Sequence, residues 1–254
     1  MDLKAFIFDV DGTLADTERD GHRPAFNAAF RELGLDWNWG VELYGKLLSV
    51  TGGKERIRYY VDAFLSDFVK PGDFSDLVAE LHRVKTRHYT EMLANGKIPM
   101  RKGVKRLLNE ARNAGVRLAI ATTTTPDNVV GLLRHSLAPD AESWFEVIAA
   151  GDVVPEKKPA PDIYLLALGE MGLSAAECMA FEDSENGLKS SRGAGLPTLI
   201  TVNDYTRDHD FSGAIAILSN FGEPGQPFGV LAGDAEGSEY VDLELLKRWH
   251  ARST

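Results

Sequence analysis

The sequence predicts an α/β protein, with an open, mostly parallel sheet, helices on both faces and an all-helical insertion. Three observations predict it. Short apolar runs recur along the chain, amphipathic patterns fill the gaps between them, and residues 16–95 carry helical patterns with no strand among them. The first run, residues 4–9, is apolar from Ala5 to Phe8 and is cut off by an acid and a turn, as a buried strand is. Residues 116–121, 147–150, 178–181 and 197–202 repeat the pattern, the first of these four being followed by four threonines. Between strands, Pro126 follows Thr125 as an N1 proline follows its cap, and Val129, Val130, Leu132, Leu133 and Leu137 continue at helical spacing. Residues 161–171 and 184–194 read the same way. Strands alternating with helices build parallel sheets covered on both sides.

The insertion rests on one helical stripe of Ala25, Phe26, Ala29, Phe30 and Leu33, ended by Gly34, and on amphipathic patterns over 55–69 and 76–94. The domain division is therefore 1–15 with 96–254 for the α/β core and 16–95 for the helical domain. Trp37 and Trp39 are expected to pack that domain, and His22, His82 and His88 to be surface or packing residues, since their spacing makes no metal site. After residue 204 the pattern weakens; Gly and Pro around 222–237 predict a loop before a last helix at 241–251.

Composition bounds the partners. The 254 residues are 44% hydrophobic and 26% charged, enough apolar material for one large core with an inserted domain. A net charge of −10 argues against affinity for nucleic acid or an anionic membrane. The same charge means that an anionic substrate would need local cations or a metal. Cys178 is the only cysteine, which excludes an internal disulfide; inside its strand and with no base beside it in sequence, it reads as a core residue. The first residues lack the length and flanks of a signal peptide or a spanning helix, so a soluble, cytoplasmic protein is expected, and a monomer.

Four clusters carry chemistry, each expected to close a predicted strand, and ligands gather at the carboxyl ends of strands in open parallel sheets. In the first, Asp9 and Asp11 stand one residue apart before Gly12 and Thr13. One carboxylate can attack and ligate a metal while the other moves a proton. A solvated turn or a calcium loop is the alternative, but Thr13 breaks the ligand ladder that a calcium loop needs. In the second, Thr122 to Thr125 offer hydroxyls and backbone N–H groups to phosphate oxygens, as any polar cap would. The third places Lys158 before Pro159 and Pro161, a fixed cation beside a phosphoryl group, with Lys157 read as a solvated loop lysine. The fourth is Glu182 with Asp183, two acids at the end of an apolar strand, a costly placement unless a cation joins them. Oxygen ligands of this kind suit Mg²⁺.

These four clusters, in this order, resemble the motifs of the haloacid dehalogenase (HAD) superfamily, and the resemblance covers nearly the whole chain. It implies a Rossmann-like HAD core with a parallel sheet and an inserted all-helical cap domain. Asp9-Val10-Asp11 is the phosphatase form of the first motif; the dehalogenase branch lacks the second aspartate. The resemblance further implies a nucleophilic Asp9 and an acid–base Asp11. It implies Mg²⁺ held by Asp9, Asp183 and the Asp11 carbonyl, with Glu182 supporting the metal through water or directly. Phosphate would be held by Thr122, the Thr123 amide and Lys158. The helical insertion is similar to that of β-phosphoglucomutase and related sugar-phosphate phosphatases. Segment order, with Glu18-Arg19 and Gly52-Gly53-Lys54, resembles the CbbY-type phosphatases, which remove xylulose-1,5-bisphosphate, a Rubisco inhibitor, in the Calvin cycle. Substrate choice is then expected from Glu18, Arg19, Gly52, Gly53, Lys54, Arg56 and Lys85. A phosphosugar mutase, or a catalytically silent sugar-phosphate-binding regulator, remains open on the motifs alone.

Overall fold

Inside the sheet, paired on both sides, lies β1 (Ala5–Phe8), whose residues are all buried. The structure, a computed structural model, describes residues 2–50 and 52–253. The chain divides into two compact units, Met1–Asp16 with Ile98–Thr254, and Thr17–Lys97.

The unit Thr17–Lys97 is helical. A turn of π-helix over Glu18–His22 runs into α1 (Arg23–Glu32), and α2 (Val41–Leu47), α3 (Gly53–Phe64) and α4 (Phe74–Ala94) follow. Gly34, at φ +72°, takes the left-handed backbone that lets the chain leave α1. Trp39 is fully buried among Phe26, Phe30, Tyr44 and Tyr60, and Trp37 packs on Phe30 and Phe68. Asn27 fixes the Trp39 backbone from both sides, accepting its N–H at 2.7 Å and donating to its carbonyl at 3.0 Å. The pattern over 55–69 stops at Phe64, and α2 is an element that the hydrophobic spacing does not announce.

In the other unit α5 (Val104–Asn113) leads to β2 (Arg117–Thr122), α6 (Pro126–Leu132) and β3 (Val147–Ala150). Then come α7 (Asp162–Met171), β4 (Cys178–Glu182), α8 (Glu185–Gly193) and β5 (Thr198–Thr201). The chain closes with β6 (Ala216–Leu218), β7 (Val230–Ala232) and α9 (Leu243–Ser253). Among the described residues the strand order is β3-β2-β1-β4-β5-β6-β7, parallel throughout except for β7 against β6. The predicted tail thus gains two strands. Each has three residues, and β7 is exposed along its length, so neither shows alternation in the sequence.

The two faces of the sheet differ in bulk. Ala5, Ala119, Ala121, Ala149 and Ala180 make a shallow face onto which α7 packs Ile163, Tyr164, Ala167 and Met171. On the other, Phe8 stacks on Phe181 at 4.3 Å between centroids, with Phe6 and Phe221 edge-on to Phe181. Such burial on both sides explains why the strand sequences are apolar runs rather than alternating ones. Among the described residues, no helix is long and apolar enough to cross a membrane.

Candidate active site

The strand order reverses at β1: β2 lies on one side and β4 on the other. Phe8 is level with Ile120 and Phe181, so the residues that follow, Asp9, Ala121 and Glu182, leave the sheet side by side. The Asp9 N–H donates to the Phe181 carbonyl at 3.0 Å, which carries the strand register one residue into the site. Such a switch point opens a crevice at the carboxyl ends of the strands.

Lys158 enters from the loop between β3 and α7, not from a strand end as its cluster was expected to. Its Nζ donates to Asp9 Oδ1 at 2.7 Å, Glu182 Oε1 at 2.6 Å and the Ala121 carbonyl at 2.9 Å. All three donor positions of the ammonium are used. Lys157, one residue earlier, turns outward and pairs with Asp152. Tyr164 of α7 lies beneath the cluster, donating its hydroxyl to Glu182 Oε1 at 2.6 Å with its ring 5.1 Å from Lys158 Nζ. Asp183 accepts from Asn203 Nδ2 at 2.7 Å.

Asp9, Glu182 and Asp183 are buried and each offers an oxygen within 4.8 Å of the others'. Burial first, then repulsion by Asp9 and by Glu182, raises Asp183 well above the carboxylate range. Burial likewise raises Glu182 to about 7; Lys158 opposes this and Asp9 adds to it. Lys158 loses some basicity to burial, but the Asp9 and Glu182 charges outweigh that and raise it. Three convergent hard oxygens carrying more negative charge than one lysine offsets fit a divalent cation.

A pH dependence follows. A carboxyl raised from 4.5 to about 7 binds its proton more tightly folded than unfolded. Its stabilising contribution is full below the unfolded value and is lost as pH rises through the folded one. Thermal unfolding in EDTA should therefore show Tm falling between about pH 5 and about pH 7.5, and Mg²⁺ should recover Tm most at the upper end. An Mg²⁺ effect equal at both pH values would contradict the charge argument.

Asp11 is held by the threonine run. The Thr124 hydroxyl donates to its Oδ2, and the Thr124 N–H donates to Thr122 Oγ1 at 3.3 Å. Thr122 is buried at the end of β2, while Thr123 is exposed. The threonine run therefore has a role for Thr124 that the sequence did not single out. Arg101 is a second such residue. Its guanidinium donates to the carbonyls of Gly12, Thr201, Val202 and Ser219 and pairs with Asp16 at 3.1 Å, tying the first motif to the ends of β5 and β6.

Within the helical unit Glu18, Arg56 and Lys85 form part of a second polar cluster. Tyr44 donates to Glu18 Oε2 at 2.6 Å and accepts from Arg56 Nη1 at 2.9 Å, while Lys85 Nζ lies 2.8 Å from His22 Nδ1. His22 is thus more than a packing residue: burial drives it to about 3, so it presents a neutral ring to Lys85. Burial opposes the charge of Glu18, but the surrounding cations and the Tyr44 hydroxyl outweigh it and hold its pKa low. Arg19 pairs with Asp20 at 3.6 Å. Gly52 and Lys54 are exposed, and Gly53 opens α3. Tyr44 was hidden from sequence reading because it sits in a helix too short to show a stripe.

Residues 3–195 match the family model of the haloacid dehalogenase-like hydrolases. The plasmid-borne CbbY protein of Cupriavidus necator is 44% identical over 248 residues, 98% of this chain and 97% of that protein. CbbY of Rhodobacter capsulatus is 51% identical over 214 residues, 84% of this chain and 92% of that one. Among solved structures, a mutant CbbY of Rhodobacter sphaeroides in complex with xylulose-1,5-bisphosphate has a TM-score of 0.70 at 45% identity, covering 86% of this chain and 94% of that one.

Proposed function

Since the chain belongs to the haloacid dehalogenase-like hydrolases and is a sugar-phosphate phosphatase of that family, we propose that it hydrolyses xylulose-1,5-bisphosphate to xylulose 5-phosphate and phosphate. The reaction runs through a phospho-aspartate on Asp9, and its physiological role is clearance of this Rubisco inhibitor. The observation that carries the reading is the Lys158 ammonium shared between Asp9 and Glu182 at the switch point, with Asp183 alongside.

Lys158 holds Asp9 Oδ1, which leaves the other oxygen of that carboxylate to attack phosphorus. As the Asp9 oxygen bonds to phosphorus, the phosphorus–sugar oxygen bond breaks and Asp11 gives its proton to the departing alkoxide. Water then attacks the phospho-aspartate, Asp11 takes a proton from it, and phosphate leaves with Asp9 restored. Thr122, the Thr123 amide and Lys158 bind the phosphoryl oxygens. Asp9, Asp183, Glu182 and the Asp11 carbonyl would hold Mg²⁺, which supplies positive charge against those oxygens. Substrate choice is assigned to the helical unit, to Glu18, Arg56 and Lys85 of its polar cluster and to Arg19, Gly52, Gly53 and Lys54.

Xylulose-1,5-bisphosphate tested within a panel of sugar mono- and bisphosphates should release phosphate fastest of the set, leaving xylulose 5-phosphate. An isomerised monophosphate with no free phosphate would replace the hydrolase with a mutase. A monophosphate preferred over every bisphosphate would reject the substrate while keeping the chemistry.

A further inference from the structure

Asp183 meets a partner that none of the four sequence clusters contains. Asn203, in the loop after β5, donates Nδ2 to Asp183 Oδ2 at 2.7 Å. Its amide can face only one way, because Oδ1 already accepts the Tyr205 N–H at 2.9 Å. The loop is pinned as well. The Asn203 N–H donates to the buried Thr206 hydroxyl at 3.1 Å, and Arg101 donates to the two preceding carbonyls, Thr201 at 3.0 Å and Val202 at 2.6 Å. The pair sits hard against the first motif: a Cβ on Gly12 would collide with both Asp183 and Asn203.

We propose that Asn203 is a positioning residue for the divalent cation, occupying one oxygen of Asp183 so that the other is presented in a fixed direction. The proposal rests on the reading of Asp183 as a metal ligand. Groups that orient a ligating carboxylate in this way shape metal affinity without touching the metal. Thr206 acts one step further out, by holding the turn that aims the amide.

The test is calorimetric titration of the full-length protein with Mg²⁺ alone, beside thermal unfolding in EDTA. Asn203→Ala should weaken Mg²⁺ binding about 10- to 100-fold. Thr206→Val should weaken it less and in the same direction. In assays, the Mg²⁺ concentration for half-activity should rise in proportion, while KM for the sugar phosphate at saturating Mg²⁺ stays unchanged. Wild-type protein that binds no Mg²⁺ would overturn the metal reading and this inference with it. Wild-type binding together with unchanged affinity in a folded Asn203→Ala variant would overturn the inference alone. If Asn203→Ala does not fold, unchanged affinity in Thr206→Val overturns it.

Discussion

Replacing Asp9 with Asn should abolish turnover while leaving substrate binding in place. The amide has nearly the shape of the carboxylate, so the strand end and the hydrogen bond that the residue 9 N–H donates to the Phe181 carbonyl are kept. What is lost is the attacking oxygen, and nucleophile removal in covalent catalysis typically costs on the order of 10³- to 10⁶-fold in kcat. Asp9→Asn also leaves one negative charge fewer beside Lys158, so its Tm should not fall for electrostatic reasons. Rapid-quench experiments with a labelled phosphate ester should trap acid-stable phosphoprotein in the wild type and none in the variant. A variant that retained turnover would show that the phosphoryl group never resides on Asp9.

Lys158→Met should damage both rate and stability. The side chain is 8% exposed and bonded to two carboxylates, so its removal leaves Asp9 and Glu182 buried without their shared cation. Breaking a buried pair from one side costs about 3–5 kcal/mol. Because Lys158 is raised above 10.5, it is charged and its contribution complete at neutral pH; that contribution is lost only as pH rises through the folded value. Removing one preorganised charge from a site that neutralises a phosphoryl group costs a further 10²- to 10³-fold in kcat, as an order of magnitude. Chemical denaturation and kinetics separate the two effects, and Mg²⁺ should restore part of the stability but not the rate. A variant with wild-type kcat would remove Lys158 from the chemistry.

The acids of the site were readable because each interrupts an apolar strand, where an unpaired carboxylate is too costly to stand without a reason. Asp9 directly follows β1 and Glu182 ends β4, and a linear reading finds both. Their supports were not readable, because each looks ordinary in its own neighbourhood. Tyr164 belongs to the apolar stripe of α7, Asn203 to a polar turn, and Arg101 to a loop where a surface cation would surprise no one. Only the tertiary fold brings an i-to-j separation of 18 residues for Tyr164 and Glu182, or 20 for Asn203 and Asp183, down to hydrogen-bond length. The short strands β6 and β7 escaped for a different reason. Three residues, exposed in β7, carry no periodicity. The helical unit was legible where long stripes existed, in α1 and α4, and not in the seven-residue α2.

The interior position of β1 also bears on the order of folding. Ala5 finds its partners at Arg117 and Cys178, so the earliest strand to be synthesised must wait for distant neighbours, across loops that are costly to close. Helices α1 to α4 meet their neighbours within 17–97, and their local contacts can form while β1 still waits. Throughout that interval an apolar hydrogen-bonding edge lies open to foreign chains. Slow refolding and chaperone demand should therefore track the α/β portion of the chain rather than its helical insertion.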